Sequence, residues 1–293
     1  MNALNGIVTK IFDVALWPLE LMGSSVALIL ASGVFGILAL LVFKHISWQA
    51  GIASAKDQIK GHLIEIRLYQ DDLVVVSKAI GMILLKNFKY VALNFGPFIP
   101  LMIPFVFMVS QMVTRYTFTG IPLSSADGRL AGEGALVEVV MAPGHEDKVD
   151  GLRLVLPETL EATSRLFRFS GGGEGLACQE VVATASGVHE IEVVLADGTS
   201  VTKTVVTGDA EVPRRFQPFR TSVIDAWDAE FSPLLWPAEP AFESDSPFRR
   251  ISLKHPDRDQ AWLPDGLLGT LITVVVASML FGFIALKPLG VQI

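Results

Sequence analysis

The chain has 293 residues, of which 51% are hydrophobic and 18% are charged, and its formal net charge is −7. This composition is more apolar than that of ordinary soluble domains, and the negative charge argues against binding to DNA. The single cysteine, Cys178, excludes an intramolecular disulfide. We expect it to be a small core residue in a strand.

The apolar residues are concentrated in three uncharged stretches, residues 24–43, 90–113 and 267–286. Each is long enough to cross about 30 Å of hydrocarbon at about 1.5 Å per helical residue. The sequence therefore predicts transmembrane helices over 24–43, 90–113 and 264–287. The preceding segment, 1–23, is predicted to be a short helix lying at the outer membrane interface, with a frayed terminus as the alternative.

The first two predicted spans differ in the residues available for helix packing. The first contains small residues, including Gly33 and Gly36, which let neighbouring helices approach closely. Prolines interrupt the second at positions 97, 100 and 104, and its polar side chains are Asn94, Ser110 and Gln111. Such a helix either lines a partly hydrated groove, to which those three polar residues contribute, or is a proline-kinked member of a packed bundle.

The segment 44–89 is predicted to form a helical hairpin. Its first helix has an apolar stripe at Ile52, Ile59, Leu63 and Ile66, and its second has one at Leu73, Val76, Ile80, Ile83 and Leu84. Asp71 or Asp72 is expected to cap the second helix. Three basic residues of the first helix are candidates for cytoplasmic contacts, namely Lys56, Lys60 and Arg67.

Charge asymmetry predicts the orientation in the membrane. The hairpin segment carries Lys44, Lys56, Lys60, Arg67, Lys78, Lys86 and Lys89, whereas only Lys10 precedes the first span. The positive-inside rule then places the hairpin and the tail 288–293 in the cytoplasm, and the N-terminus and residues 114–262 outside. The predicted location is the cytoplasmic (inner) membrane.

Residues 114–262 have the pattern of a β domain. Short strand-like runs are separated by turn signals, among them Asp197–Gly198 and the glycines at 171–173. The predicted strands are residues 135–141, 152–156, 165–169, 179–184, 188–195 and 201–206. We expect a small antiparallel, immunoglobulin-like sandwich with a proline- and aromatic-rich extension over 208–262. That extension is predicted to hold a short helix near 222–231 and a strand over 248–255.

The third span carries a small-residue face at Gly269, Thr273 and Ala277, which is suited to helix packing. Chemistry-bearing motifs are lacking elsewhere in the sequence. The histidines, at positions 45, 62, 145, 189 and 255, show no metal-ligand spacing, and no Ser, His and Asp set stands out. The sequence therefore predicts no metal, no cofactor and no enzymatic activity.

The order of these elements resembles the YidC/Oxa insertase superfamily, in particular its minimal three-span members. The residues that carry the resemblance are the basic hairpin, 56–67 with 71–89, and the proline-rich second span, 94–111. The resemblance implies a hairpin that engages ribosomes or client proteins. It also implies a hydrophilic groove that eases the passage of polar client segments. The exoplasmic domain between the second and third spans is an addition to that pattern.

Two functional hypotheses follow. In the first, the protein is a non-enzymatic insertase or chaperone-like factor, with Lys56, Lys60 and Arg67 contacting ribosomes or clients and Asn94 wetting the groove. In the second, it is an accessory or scaffolding subunit of a larger membrane complex. Both imply that the partners are membrane lipids and other integral membrane proteins.

Overall fold

The computed structural model describes residues 2–124, 134–209, 215–260 and 262–291. The chain divides into two compact units, one formed by Met1–Leu28 with Phe107–Thr273 and the other by Ile29–Val106 with Val274–Ile293. The α-helices of the described residues are α1 (Asn2–Glu20), α2 (Ser24–Ile46), α3 (Gln49–Leu68), α4 (Leu73–Phe95), α5 (Phe98–Tyr116) and α6 (Gly266–Leu289).

Three helical stretches of the described residues are long and apolar enough to cross a membrane: Ser24–Ile46, Leu73–Tyr116 and Gly266–Leu289. The first two contain the predicted spans 24–43 and 90–113, and the third begins two residues later than the predicted span 264–287 and ends two residues later. The second is longer than predicted because α4 continues to Phe95, past the expected boundary at residue 89. The helix breaks at Gly96–Pro97, since proline lacks the N–H that a continuous helix needs at that position. Pro104 lies inside α5 without ending it.

The helical hairpin α3–α4 belongs to the second unit and confirms the predicted arrangement. Asp72 caps α4, because its Oδ1 accepts hydrogen bonds from the backbone N–H groups of Val74 (2.9 Å) and Val75 (3.2 Å). Ile52 of α3 is fully buried, as the apolar stripe predicts.

The predicted packing faces of the hairpin are wrong in part. Leu63, Leu73, Ile80 and Leu84 are all exposed, Leu73 by 81%, whereas the small residues Ala55 and Ala79 are buried. Apolar residues occur on more than one side of α4, so periodicity alone does not select a face. The helices approach where their side chains are smallest, and larger neighbours are left outside.

Two glycines of α2 allow it to pack closely against α6. A Cβ atom added to Gly36 would lie 2.1 Å from the backbone oxygen of Ser278, and one added to Gly33 would lie 2.6 Å from the ring of Phe281. These distances confirm that small residues of the first predicted span permit close helix packing.

The helix ends of the second unit also lie together. The rings of Phe43 in α2 and Phe98 in α5 have centroids 6.0 Å apart. Lys44 donates a 2.6 Å hydrogen bond from Nζ to the carbonyl oxygen of Leu289, at the end of α6. The C-terminal ends of α2 and α6 and the start of α5 therefore lie together in this unit. The hairpin α3–α4 follows α2 at this end.

The first unit contains the β domain. Its strands are β1 (Ala135–Met141), β2 (Arg153–Val155), β3 (Leu160–Ala162), β4 (Phe167–Gly171), β5 (Glu174–Ala183), β6 (Gly187–Val194), β7 (Ser200–Thr207), β8 (Phe219–Thr221) and β9 (Phe248–Leu253). A six-stranded antiparallel sheet has the order β3-β5-β1-β9-β8, with β4 also paired to β5, and a three-stranded sheet has the order β2-β6-β7. Residues of both sheets, such as Val139 and Val193, share one buried cluster, so the sheets form a two-layer sandwich.

Most strand predictions agree with the structure, and the predicted glycine turn has a clear physical reason. The turn between β4 and β5 consists of Gly172 and Gly173, both with positive φ, which a two-residue hairpin loop of this kind requires. The short strands β3 and β8 were not predicted, since three residues carry too little periodicity. Cys178 lies in β5 as expected, but it is half-buried rather than part of the core.

The described residues of the extension after β7, 208–209, 215–260 and 262, are mostly irregular. The predicted helix near 222–231 is only a 3-10 turn, Val223–Asp225, which Ser222 caps, whereas β9 confirms the predicted strand. A buried ion pair holds the extension to β7, because Lys203 Nζ lies 2.6 Å from Glu239 Oε2. Lys203 also donates a 2.6 Å hydrogen bond to the carbonyl oxygen of Gln217. The strand and the extension are thus joined by charged and polar groups inside the unit.

Candidate functional site

The three polar residues of the predicted groove lie in different surroundings. Asn94 belongs to the second unit, where its Nδ2 donates a 2.8 Å hydrogen bond to the carbonyl oxygen of Tyr90, one turn earlier in α4. Ser110 and Gln111 belong to the first unit, and both are buried. No single unit therefore contains all three residues, and the groove stays a prediction.

The three basic candidates lie on α3. The side chains of Lys60 and Asp57 are 68% and 76% exposed, with Nζ and Oδ1 3.6 Å apart. Arg67 is exposed in the last turn of the same helix, and Lys56 is half-buried. A solvated pair of this kind contributes little to folding, which leaves its charges available for contacts with other molecules.

The small-residue face of α6 is buried at each of the three predicted positions, Gly269, Thr273 and Ala277. Thr273 Oγ1 donates a 2.9 Å hydrogen bond to the carbonyl oxygen of Gly269 in its own helix. The predicted face is thus covered within the chain itself.

Sequence reasoning missed a polar seam between α1 and α5. Gln111 Nε2 donates a 2.9 Å hydrogen bond to Thr9 Oγ1, and both residues are buried. Arg115, whose side chain is only 3% exposed, pairs with Asp13 and lies 3.4 Å from Glu20 Oε1. The seam pairs several buried polar and charged groups of the two helices with each other.

Beyond α5, the seam of α1 also reaches the extension after β7. Asp13 binds Arg215 as well as the guanidinium in α5. Asn5 Nδ2 donates a 3.0 Å hydrogen bond to the carbonyl oxygen of Pro233. The sequence signal for this seam is a polar residue every three to four positions along α1, at Asn2, Asn5, Thr9 and Asp13.

This arrangement makes α1 amphipathic in the opposite sense to a helix of a soluble domain. Its polar side chains point into the unit, while its large apolar residues are exposed, namely Leu4, Ile7, Ile11, Val14 and Trp17. A helix with an apolar outer face is suited to an apolar surrounding.

The first unit also contains a cavity of about 710 Å³. Its lining includes Val109, Val113, Leu267 and Leu271 of α5 and α6, and Phe219, Leu235 and Trp236 of the extension. Its polar lining residues are Ser110, Glu138, Glu230, Ser252, Lys254, His255 and Asp257. A largely apolar cavity with a few polar groups has the general character of a small-molecule site.

His255 is the unusual residue of this cavity. It is 2% exposed, and neither ring nitrogen has a hydrogen-bond partner among the described residues. Burial, together with the positive charge of Lys203, lowers the pKa of the His255 imidazole to about 3. The ring is therefore neutral at physiological pH and presents one donor and one acceptor. Nothing in the sequence around position 255 distinguishes this histidine.

Within ranges 2–124, 134–209, 215–260 and 262–291, no group of His, Cys, Asp and Glu side chains has the arrangement of a metal site. No protein-family model, curated protein or solved structure matches the chain. The resemblance to the YidC/Oxa insertases accordingly remains a prediction.

Proposed function

We propose that the protein is a non-enzymatic integral membrane protein that serves as an accessory or scaffolding subunit for other membrane proteins. In this proposal α2, α5 and α6 cross the cytoplasmic membrane, the hairpin α3–α4 lies in the cytoplasm, and an immunoglobulin-like sandwich lies outside. Three apolar helical stretches of sufficient length support the insertion, and the positive-inside rule supports the orientation.

The observation that carries the proposed function is an exposed apolar face of α4. Before the predicted span 90–113, its exposed residues recur at helical spacing, namely Leu73, Ile80, Leu84 and Phe88. An apolar stripe of this length on a helix outside the hydrocarbon costs free energy until another surface covers it. An amphipathic helix or a hydrophobic groove of a partner protein is the kind of surface that fits such a stripe.

The inverted helix α1 supports the membrane location of the same proposal. Its exposed apolar residues would contact lipid at the outer interface, while its polar seam fixes it to the exoplasmic unit. Trp262, which is exposed shortly before α6, suits the same interface.

An insertase-like or chaperone-like factor is the second candidate. The exposed basic residues Lys60 and Arg67 on α3, in the same hairpin as the apolar face, favour it. Together they would present charge and apolar surface to a ribosome or to a client segment. The mechanism would consist of positioning and local polarity, without a covalent step.

The test is purification of the full-length protein from native membranes in mild detergent, with quantitative mass spectrometry. For a scaffolding subunit we expect a fixed set of partners at a constant ratio to the chain. The variant Leu84→Ser/Phe88→Ser should lower their recovery at least tenfold. Val155→Ser, at an exposed apolar position of β2, is the matched control and should retain them.

Two outcomes would contradict the scaffolding proposal. Unchanged partners with the α4 variant would show that its apolar face is not the docking surface. Ribosomes together with many substoichiometric membrane proteins would instead support the insertase candidate. That candidate further requires that replacing Lys56, Lys60 and Arg67 with glutamate abolishes ribosome or client recovery.

A further inference from the structure

We propose that the cavity of the first unit binds one molecule of a zwitterionic amino-phospholipid, an inference that rests on the membrane insertion proposed above. The ligand would place a hydrocarbon chain between the helices and the extension and its headgroup at the polar side. The cavity volume of about 710 Å³ falls in the range of sites that enclose small molecules.

The position of the apolar wall favours a ligand that arrives from a bilayer. Val113 lies in the last turn of α5 before Tyr116, and Leu267 lies in the first turn of α6. Thr117 Oγ1 and Thr270 Oγ1 are 3.0 Å apart, so these two helix ends adjoin each other. The wall therefore lies where two proposed spans reach the exoplasmic interface, and a lipid chain has the chemistry to cover it.

The charges at the polar side favour a zwitterion over an anionic lipid. Lys254 supplies one exposed cation, whereas Glu230 and Asp257 supply exposed carboxylates. Glu138 is already engaged, since Arg250 Nη2 lies 3.4 Å from its Oε1. A phosphate can pair with the lysine while a primary ammonium pairs with the carboxylates. A headgroup with negative charge alone would meet those carboxylates without compensation.

His255 lines the cavity, and both of its ring nitrogens are buried without a hydrogen-bond partner among the described residues. A buried imidazole with two unsatisfied nitrogens costs free energy, and a bound hydrogen-bonding group would remove that cost. Its neutral state lets it donate to an ester or phosphate oxygen, or accept from an ammonium or hydroxyl group. We assign it the role of binding the polar region of the lipid, next to the chain.

The experiment is native mass spectrometry of full-length protein that is delipidated in detergent and then mixed with phosphatidylethanolamine, phosphatidylglycerol or phosphatidylcholine. We expect one phosphatidylethanolamine per chain, retained at least tenfold better than either other lipid. Ala229→Trp places a large side chain on an exposed lining position and should lower retention at least tenfold. Ala162→Trp, at an exposed position of β3 outside the cavity, is the matched control and should not change it.

His255→Phe separates a ligand contact from a purely structural role. We expect this variant to lose most of the lipid-dependent rise in Tm, because the ring keeps its shape but loses both nitrogens. Equal lipid-dependent rises in the variant and the wild type would overturn the assigned role. Retention that is equal among the three lipids would overturn the headgroup assignment.

Failure of the inference is distinguishable from failure of the membrane proposal. Suppose that the protein still pellets with alkali-washed membranes. Retention of no lipid, or equal lipid retention by Ala229→Trp and wild type, would then overturn the cavity site alone. Release of the wild-type protein by the alkaline wash would overturn the insertion itself.

Discussion

The buried pair of Lys203 and Glu239 gives the sharpest prediction for the first unit. Lys203 is fully buried, and its ammonium contacts both Glu239 and the carbonyl oxygen of Gln217. Burial lowers the pKa of the Lys203 ammonium, and the negative charge of Glu239 opposes that shift. Replacing either residue alone leaves its partner as a buried charge without compensation.

The magnitude follows from this uncompensated charge. Removing one partner of a buried pair costs about 3–5 kcal/mol. For a domain of this size, each kcal/mol lowers Tm by about 2–4 °C, so Lys203→Met and Glu239→Gln should each lower it by about 6–20 °C. The double variant should cost at least about 2 kcal/mol less than the sum of the two, because it leaves no unpaired charge.

Thermal unfolding of the full-length protein in detergent, followed by tryptophan fluorescence, measures these changes, since Trp236 is buried in the same extension. Lys148→Met is the matched control. It breaks the exposed pair of Lys148 with Asp197, which has a 3.0 Å separation, and should cost less than about 1 kcal/mol. Additive effects of the two buried substitutions, or losses no larger than that of the control, would refute the reasoning.

Four further variants and a change of pH probe the helices and the cavity. Gly36→Ala should lower Tm because the added methyl group would clash with α6, whereas Gly61→Ala, with no atom within 4 Å, should add about 0.5–1 kcal/mol of stability in the same assay. Lowering the pH from 7.5 to 5 should cost about 2 kcal/mol through His255, because the unfolded histidine binds a proton that the native one, with a pKa of about 3, does not. This stability is present above about pH 6.5 and is lost as the pH falls toward 3; an unchanged acid dependence of unfolding in His255→Phe would contradict the assignment. Arg115→Met should raise the hydrogen-exchange rates of α1 at least tenfold without changing those of α3, because it removes the guanidinium that binds both carboxylates of the seam.

Local sequence signals predicted those elements whose cause is local. The uncharged stretches set the apolar spans, because the length of hydrocarbon that a helix can cross depends only on its own residues. The cap at Asp72 and the glycine turn before β5 were equally readable, since each depends on a few neighbouring positions. Strand β1 has the same bounds in the prediction and in the structure.

The sequence alone determined the class of this protein: apolar helical spans, a capped helical hairpin and an antiparallel β domain. Tertiary structure alone decided which side of α4 is exposed, which way α1 is turned and where a cavity is enclosed. These features depend on residues far apart in the chain. An example is the hydrogen bond between Thr9 and Gln111, which are 102 positions apart in the sequence. Helical periodicity reports which residues share a face, but only the packed neighbours determine whether that face is covered.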